Sequence, residues 1–344
     1  MLKIYIGTPL AHAPLMELVL VALGLPQKQS GRWSDSAFRH LTSPLFLVTE
    51  NPTEADYFML PHYYNAVVGE RQYLSSFERL AIEHKKQIII LFPGDSIAKV
   101  LINNAIVFRN SQYRKTLLPN EIIMPAFAED LLNDHPLVFR SKQSKALVGF
   151  CGWANFVNFK QAFRSGIRRL FFPRESGVFQ KGMYIRKKAL SVLKSSKIIA
   201  TKVIIRSSYS GNEKTISLDP IQARREYIDN IINTDYTLCV KGDGNFSIRL
   251  YEVLSLGRIP LFVNTDCVLP LEDVIPYGEC LVSVEHADLL NIDQQLAQFH
   301  ASLTDEKFQI MQKKAREIFK GYLRLDVFFA YTLTNTFLSR FKTN

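Results

Sequence analysis

Apolar residues fall into short runs along this chain, mostly unbroken rather than alternating with polar ones, and helically spaced stretches separate them. Strands covered on both faces read this way, so the pattern predicts parallel sheets flanked by helices, an α/β fold. In the first half the predicted strands are 2–6, 57–60, 87–92 and 105–108. In the second half they are 146–150, 202–205, 236–240, 259–263 and 280–284. Helices fit between them at 184–194, 223–232 and 248–256. A polar break at 135–145, with Asp134-His135-Pro136 and then R-S-K-Q-S-K, separates the two series. The expected organisation is a Rossmann-like domain over 1–140 and a second over 141–325. A helix over 326–344 is placed to pack back on the first. The tail 288–341 has helical spacing and, apart from Gly321, neither Gly nor Pro. In open parallel sheets, ligands meet the loops at the carboxyl ends of the strands, so chemistry is sought there, in a cleft between two such sheets.

Composition adds boundaries. With 344 residues, 47% apolar and 22% charged, the chain matches ordinary globular proteins and excludes a disordered or disulfide-scaffold class. Its four cysteines form no C-x-x-C pair and sit in or beside apolar runs, as buried thiols of a reducing compartment do. The longest apolar run, 15–25, is about half of the ~20 residues that span a bilayer. No small-residue cleavage site follows it, so neither a signal peptide nor an anchor is expected and the chain reads as cytoplasmic. The formal charge is +10, yet 140–206 holds 16 Lys and Arg against one acid, Glu175. One basic surface therefore carries the whole excess and calls for an anionic partner: nucleic acid, lipid head groups or polysaccharide.

The most informative segment is 236–257, Y-T-L-C-V-K-G-D-G-N-F-S-I-R-L-Y-E-V-L-S-L-G. It reads as strand, glycine loop and helix. Gly242 and Gly244 permit close backbone approach to an anion, and the following helix turns its positive end toward it. Ser247 is a natural N-cap. Arg249 and Glu252, three apart, share a helix face: an arginine fork suits a diphosphate, and a carboxylate suits ribose hydroxyls. Lys241 and Asn245 lie in the same loop. The next strand ends at Val263, and a polar loop with Asn264, Thr265, Glu272 and Asp273 opens at its carboxyl end. A surface ion pair on an ordinary strand–helix turn would explain the pieces one by one; their order points to a nucleotide.

F-S-I-R-L-Y-E-V-L-S-L-G-R-I-P-L-F-V followed by V-L-P-L-E-D-V-I resembles the carboxyl-terminal core of exostosin-like glycosyltransferases. A-D-Y-F-M-L-P-H-Y-Y at 55–64 and F-Q-I-M-Q-K-K-A-R-E-I-F-K-G-Y at 308–322 extend the likeness. The resemblance implies a GT-B fold of two Rossmann-like domains and inverting transfer of a sugar from a nucleoside diphosphate, commonly UDP. It implies that Arg249 and Glu252 hold the donor diphosphate and ribose.

Inverting transfer needs a base for the acceptor hydroxyl and positive charge for the leaving diphosphate. No Asp-x-Asp metal pair occurs in the chain. Arg249, Lys241 and the helix end at Ser247 are therefore expected to neutralise the diphosphate without metal, and no cofactor beyond the UDP-sugar substrate is expected. Asp95, in F-P-G-D-S after strand 87–92, is the first candidate base, at a place where the resembled family shows a His-Asp pair. An N-cap for a helix over 96–101 would equally explain it. His62, after strand 57–60, is the second, with packing or a substrate contact as alternatives. Trp153 and Asn155, after strand 146–150, are candidate sugar contacts. The other histidines show no metal-ligand spacing. The expected partners are a nucleotide-sugar donor, a glycan or lipid-linked glycan acceptor and, through 140–206, an anionic membrane surface. Other readings are a GDP-fucose-dependent fucosyltransferase-like enzyme of the same fold and a non-catalytic basic sugar- or nucleic-acid-binding protein. No helix-turn-helix, RNP or zinc-finger pattern supports nucleic acid.

Overall fold

In the computed structural model, which describes residues 1–27, 35–154, 177–206 and 219–341, the unbroken apolar runs become central strands. The chain forms two units: Met1–Glu129 with Val268–Leu271 and Gly321–Asn344, and Asp130–Cys267 with Glu272–Lys320.

The first unit is built on β1 (Leu2–Tyr5), β2 (Phe46–Val48), β3 (Tyr57–Met59), β4 (Ile88–Phe92), β5 (Ala105–Arg109) and β6 (Glu121–Ile123). All pair in parallel, in the order β2-β1-β3-β4-β5-β6. β4, I-I-I-L-F, is buried at every position, as a strand covered on both faces must be. The helices α1 (Glu17–Ala22), α2 (Tyr64–Val67) and α3 (Arg71–Glu83) belong to this unit. α3 lays Leu74, Phe77 and Ala81 against Phe58, Ile88 and Ile90. The apolar run 15–25 becomes the short α1, whose Leu18, Val19 and Leu20 are buried. No described helix is long and apolar enough to cross a membrane.

The second unit repeats the plan with β7 (Leu147–Trp153), β8 (Ala200–Arg206), β9 (Tyr236–Cys239), β10 (Ile259–Asn264) and β11 (Val282–Glu285). Again all are parallel, in the order β11-β10-β9-β7-β8. Around them lie α4 (Gly182–Ser195), α5 (Pro220–Ile232), α6 (Ile248–Ser255), α7 (Ile292–Ser302) and α8 (Asp305–Ile318). Ile185, Ala189 and Leu193 of α4, with Leu296 of α7 and Phe308 of α8, join one core with Val148, Leu238 and Leu261 of the strands. Asp235 anchors this sheet, accepting from Arg140 Nε at 3.0 Å and from the Leu147 amide at 3.0 Å.

The tail is helical, as its composition predicts. After α8 come α9 (Leu325–Thr332) and α10 (Asn335–Leu338). Phe328 and Phe329 of α9 meet Phe108 of β5 at centroid distances of 6.3 and 5.9 Å. Two parallel sheets flanked by helices, with a helical carboxyl-terminal region, form the pair of Rossmann-like domains of the GT-B class. The four cysteines are buried and none is in a disulfide.

Candidate functional site

In the second unit the chain starts on β7, runs outward to β8 and then crosses to β9 on the other side. The strand order reverses there, and the carboxyl ends of β7 and β9 flank the crevice where doubly wound sheets take ligands. Arg249 reaches into this place from the first turn of α6. Its Nη2 donates to Cys151 O of β7 at 2.7 Å, and its Nη1 lies 3.5 Å from Leu238 O of β9. The guanidinium sits 4.4 Å from the Phe150 ring centroid and 5.5 Å from that of Tyr227. Gly152 makes the insertion possible. A Cβ there would fall 2.7 Å from Arg249 Nη2, and its φ of +153° is one that residues with side chains rarely adopt.

The loop after β9 is held from α4. Arg186 donates to Trp153 O at 3.3 Å and to Lys241 O at 2.8 Å, so one side chain ties both strand ends. Gly182, the first residue of α4, donates its N–H to Gly242 O at 3.0 Å and lies so close that a Cβ would come within 1.8 Å of Lys241 O. The Lys241 side chain is buried, donating to Val178 O at 2.7 Å. Burial pulls its pKa down to about 8, against the raising influence of Cys267 and Asp243. Gly242 does not stand open to an anion as the glycine pattern suggests; its N–H donates to Phe246 O at 2.9 Å and closes the loop on itself. Gly244 is buried in the same loop. Ser247 holds the N-cap position with extended backbone, but its side chain makes no capping hydrogen bond.

Glu252, one turn further along α6, is buried and engaged on both oxygens. Arg224 Nη1 donates to Oε1 at 2.8 Å and the Tyr227 hydroxyl donates to Oε2 at 2.5 Å. Burial first, and then the Glu252 charge, push the Tyr227 phenol well above its ordinary pKa, so it acts as a donor. Beside the loop, Thr265 Oγ1 donates to Asn245 Oδ1 at 2.6 Å, and Asn245 Nδ2 donates to Asp266 O at 3.3 Å. Asn264 braces the end of β10, donating to Glu285 Oε1 at 2.8 Å and accepting from the Cys267 amide at 3.0 Å. Glu272 and Asp273 are exposed on the segment that follows. Trp153 ends β7, half-buried; Asn155 lies outside the described residues. The structure thus brings Lys241, Arg249 and Trp153 to the switch point and ties Asn245 to Thr265. Sequence reasoning missed Gly182, Arg186, Arg224 and Tyr227, which act from neighbouring helices. The only available signal was the i,i+3 spacing of Arg224 and Tyr227 on one face of a predicted helix.

In the first unit, Asp95 is exposed in the loop after β4. No helix forms over 96–101, so the N-cap explanation for Asp95 falls. The carbonyls that would start such a helix are drawn elsewhere. Ser96 O and Ala98 O accept from Arg109, at 2.6 and 3.2 Å, and the Gly94 amide donates to Asn110 Oδ1 at 3.1 Å. Arg109 is itself fully buried against Glu121. His62, also fully buried, accepts at Nε2 from the Leu10 amide at 2.9 Å and directs Nδ1 at Pro14 O at 2.9 Å. Both ring nitrogens bond to the backbone of the 10–14 segment. Among the described residues no cluster of three or more His, Cys, Asp or Glu is placed to hold a metal ion.

Residues 170–299 match the family model of the Exostosin GT47 domain, a region that opens ahead of α4 and ends within α7. A probable glucuronosyltransferase of Oryza sativa subsp. japonica is 37% identical over 71 residues, 21% of this chain and 17% of that protein. The Exostosin-1 homolog of Caenorhabditis elegans is 26% identical over 101 residues, 29% of this chain and 25% of its own length. Probable glucuronosyltransferase 47 A of Physcomitrium patens is 30% identical over 89 residues, 26% of this chain and 20% of that protein. The chain therefore matches a quarter or less of the length of these relatives. The region matched by the family model holds α4, the glycine loop and α6 with Arg249 and Glu252, and over it the chain is similar to the exostosin GT47 glycosyltransferases.

Proposed function

We propose that the protein is an inverting, metal-independent transferase that moves a sugar from a nucleoside diphosphate, UDP first, to a glycan or lipid-linked glycan. The observation that carries this reading is the placement of Arg249 between the carboxyl ends of β7 and β9, with two of its five donors bonded to strand carbonyls. The remaining donors, Lys241 and the amino end of α6 supply the positive charge that a departing diphosphate needs. Glu252 reads the ribose, and Asn245, Asn264, Thr265, Glu272 and Asp273 form the surrounding loops. Asp95, held on a braced loop, takes the acceptor proton; His62 is left to packing. Because several relatives are named glucuronosyltransferases, a glucuronosyl donor is the first sugar to try. The basic stretch 140–206 serves an anionic membrane surface that presents the acceptor.

Calorimetric titration with UDP, GDP and CDP, followed by turnover of the matching sugar nucleotides in excess EDTA, tests the reading. Tightest binding of UDP and turnover that survives chelation support it. Preference for GDP would favour the fucosyltransferase-like alternative, and activity restored only by a divalent ion would overturn the metal-free mechanism. Binding of none of the three would remove the nucleotide site.

A further inference from the structure

We propose that Arg224 and Tyr227 of α5 are positioning residues that set Glu252 to receive a ribose diol, an inference that rests on the nucleotide reading above. A carboxylate offers about four lone-pair sites. Here one on each oxygen is already used, Oε1 by Arg224 at 2.8 Å and Oε2 by the Tyr227 hydroxyl at 2.5 Å. The two that remain match the two donors of a vicinal diol and fix the plane in which it must approach. The same tyrosine also serves the diphosphate end of the site. Its ring lies 5.5 Å from the Arg249 guanidinium and 5.5 Å from that of Arg224. One aromatic side chain therefore sits beside both the group expected to bind phosphate and the group expected to bind ribose. Arg224 has an electrostatic task as well. Glu252 lies three residues from Arg249 with its side chain only 11% exposed, and a buried carboxylate without a partner would repel the incoming diphosphate. The Arg224 ion pair offsets that charge while leaving acceptor capacity.

The two tasks of Tyr227 can be separated experimentally, because Tyr227→Phe keeps the ring beside Arg249 and removes only the hydroxyl. Calorimetry on the full chain with UDP, 2′-deoxy-UDP and inorganic pyrophosphate measures ribose and phosphate recognition independently. The wild-type protein should favour UDP over 2′-deoxy-UDP by roughly tenfold or more, as a lost hydrogen bond to a charged group requires. In Tyr227→Phe that ratio should fall toward one while pyrophosphate affinity stays within about twofold. Arg224→Gln should also lower the ratio and Arg224→Lys should restore part of it, which keeps the test open if Tyr227→Phe does not fold. In a Glu252→Gln background Tyr227→Phe should change the ratio no further. An unchanged ratio in Tyr227→Phe and Arg224→Gln, or an equal loss of UDP and pyrophosphate, would overturn the positioning role. Wild-type protein that binds UDP and 2′-deoxy-UDP equally well would overturn it too and leave the nucleotide site standing. Wild-type protein that binds no nucleotide would remove the reading on which the inference rests.

Discussion

Arg249 and Cys151, 98 positions apart in the chain, are joined by a hydrogen bond of 2.7 Å from the arginine Nη2 to the cysteine carbonyl. The bond fastens the helix after the glycine loop to the strand beside it, so the charge at the switch point is held before any ligand arrives. Fixed donors are worth more than mobile ones because no reorganisation accompanies binding.

The first prediction follows from that bond. Arg249→Ala should weaken UDP binding by about 1.5–3 kcal/mol, the range for a hydrogen bond to a charged partner. Gly152→Ala should do the same with the arginine retained, because its methyl would fall 2.7 Å from Nη2 and push the guanidinium aside. Equal UDP affinity in the folded Gly152→Ala protein would show that the guanidinium position is not what the nucleotide uses.

The second concerns pH. Lys241, with its pKa drawn down to about 8 by burial, is charged for the most part at neutral pH. A diphosphate binds the charged form, so UDP affinity should be full below pH 8 and fall as pH rises through it. Stability of the unliganded protein should move the other way. The folded state gives up the Lys241 proton more readily than the unfolded chain, whose lysine stays near 10.5, so this residue's contribution improves between about pH 8 and 10.5. Lys241→Met should flatten both profiles in that window. Titrations from pH 6.5 to 9.5, paired with thermal unfolding, read both slopes, and a flat wild-type affinity profile would exclude Lys241 from diphosphate binding.

How much of this was legible in the sequence depends on where the determining contacts lie. All nine strands expected from apolar runs are present; the two missed, β2 and β6, have three residues each and stand at the edges of their sheet. β6 also opens on Glu121, a charged residue that argues against a buried strand until Arg109 is placed beside it. The helix expected over 96–101 fails for a related reason: Arg109 takes its carbonyls, leaving Ile97 and Leu101 exposed. Arg249 and Glu252 could be read because they share one local motif. Arg186, Arg224 and Tyr227 could not, because their roles arise from helices that approach α6 and its loop only in the folded chain.

The third prediction separates the two candidate bases. Asp95→Asn should leave UDP affinity unchanged and lower turnover by on the order of 10²–10⁴-fold, the usual contribution of general base catalysis. His62→Gln should act on stability, since it breaks bonds to Leu10 and Pro14 inside the first unit. If Asp95→Asn keeps wild-type turnover, the proton goes elsewhere.

The fourth concerns the brace beneath Asp95. Arg109 and Glu121 are both buried, and Glu121 also accepts from Gln112 Nε2 at 3.2 Å and from the Leu118 amide at 3.0 Å. Removing one partner, as in Glu121→Ala, leaves an uncompensated buried charge and should cost about 3–5 kcal/mol in urea unfolding. Replacing both with apolar residues of similar volume should cost much less in stability. It should still lower turnover, because Ser96 O and Ala98 O lose the group that holds the Asp95 loop. Full turnover in the double variant would show that the loop needs no brace.

The last prediction concerns the basic surface. Of the 16 cations in 140–206, a single diphosphate needs two or three, and a buried unpaired Lys or Arg would cost several kcal/mol. Among the described cations of this stretch Arg140 pairs with Asp235 and Arg206 with Glu226, whereas on α4 Lys187, Lys188 and Lys194 are exposed, with Lys197 and Lys202 close behind in sequence. Each such side chain near an anionic bilayer contributes about 1 kcal/mol, so four or five are enough for reversible docking. Vesicle flotation should show binding to liposomes with phosphatidylserine or phosphatidylglycerol at low salt and release as the Debye length shortens toward 10 Å near 0.1 M. Lys194→Glu with Lys197→Glu and Lys202→Glu should abolish flotation while leaving UDP affinity intact, since all three side chains are exposed. Equal partition of the wild type to neutral and anionic vesicles would remove the membrane from the proposal and make an anionic glycan acceptor the better account of the charge.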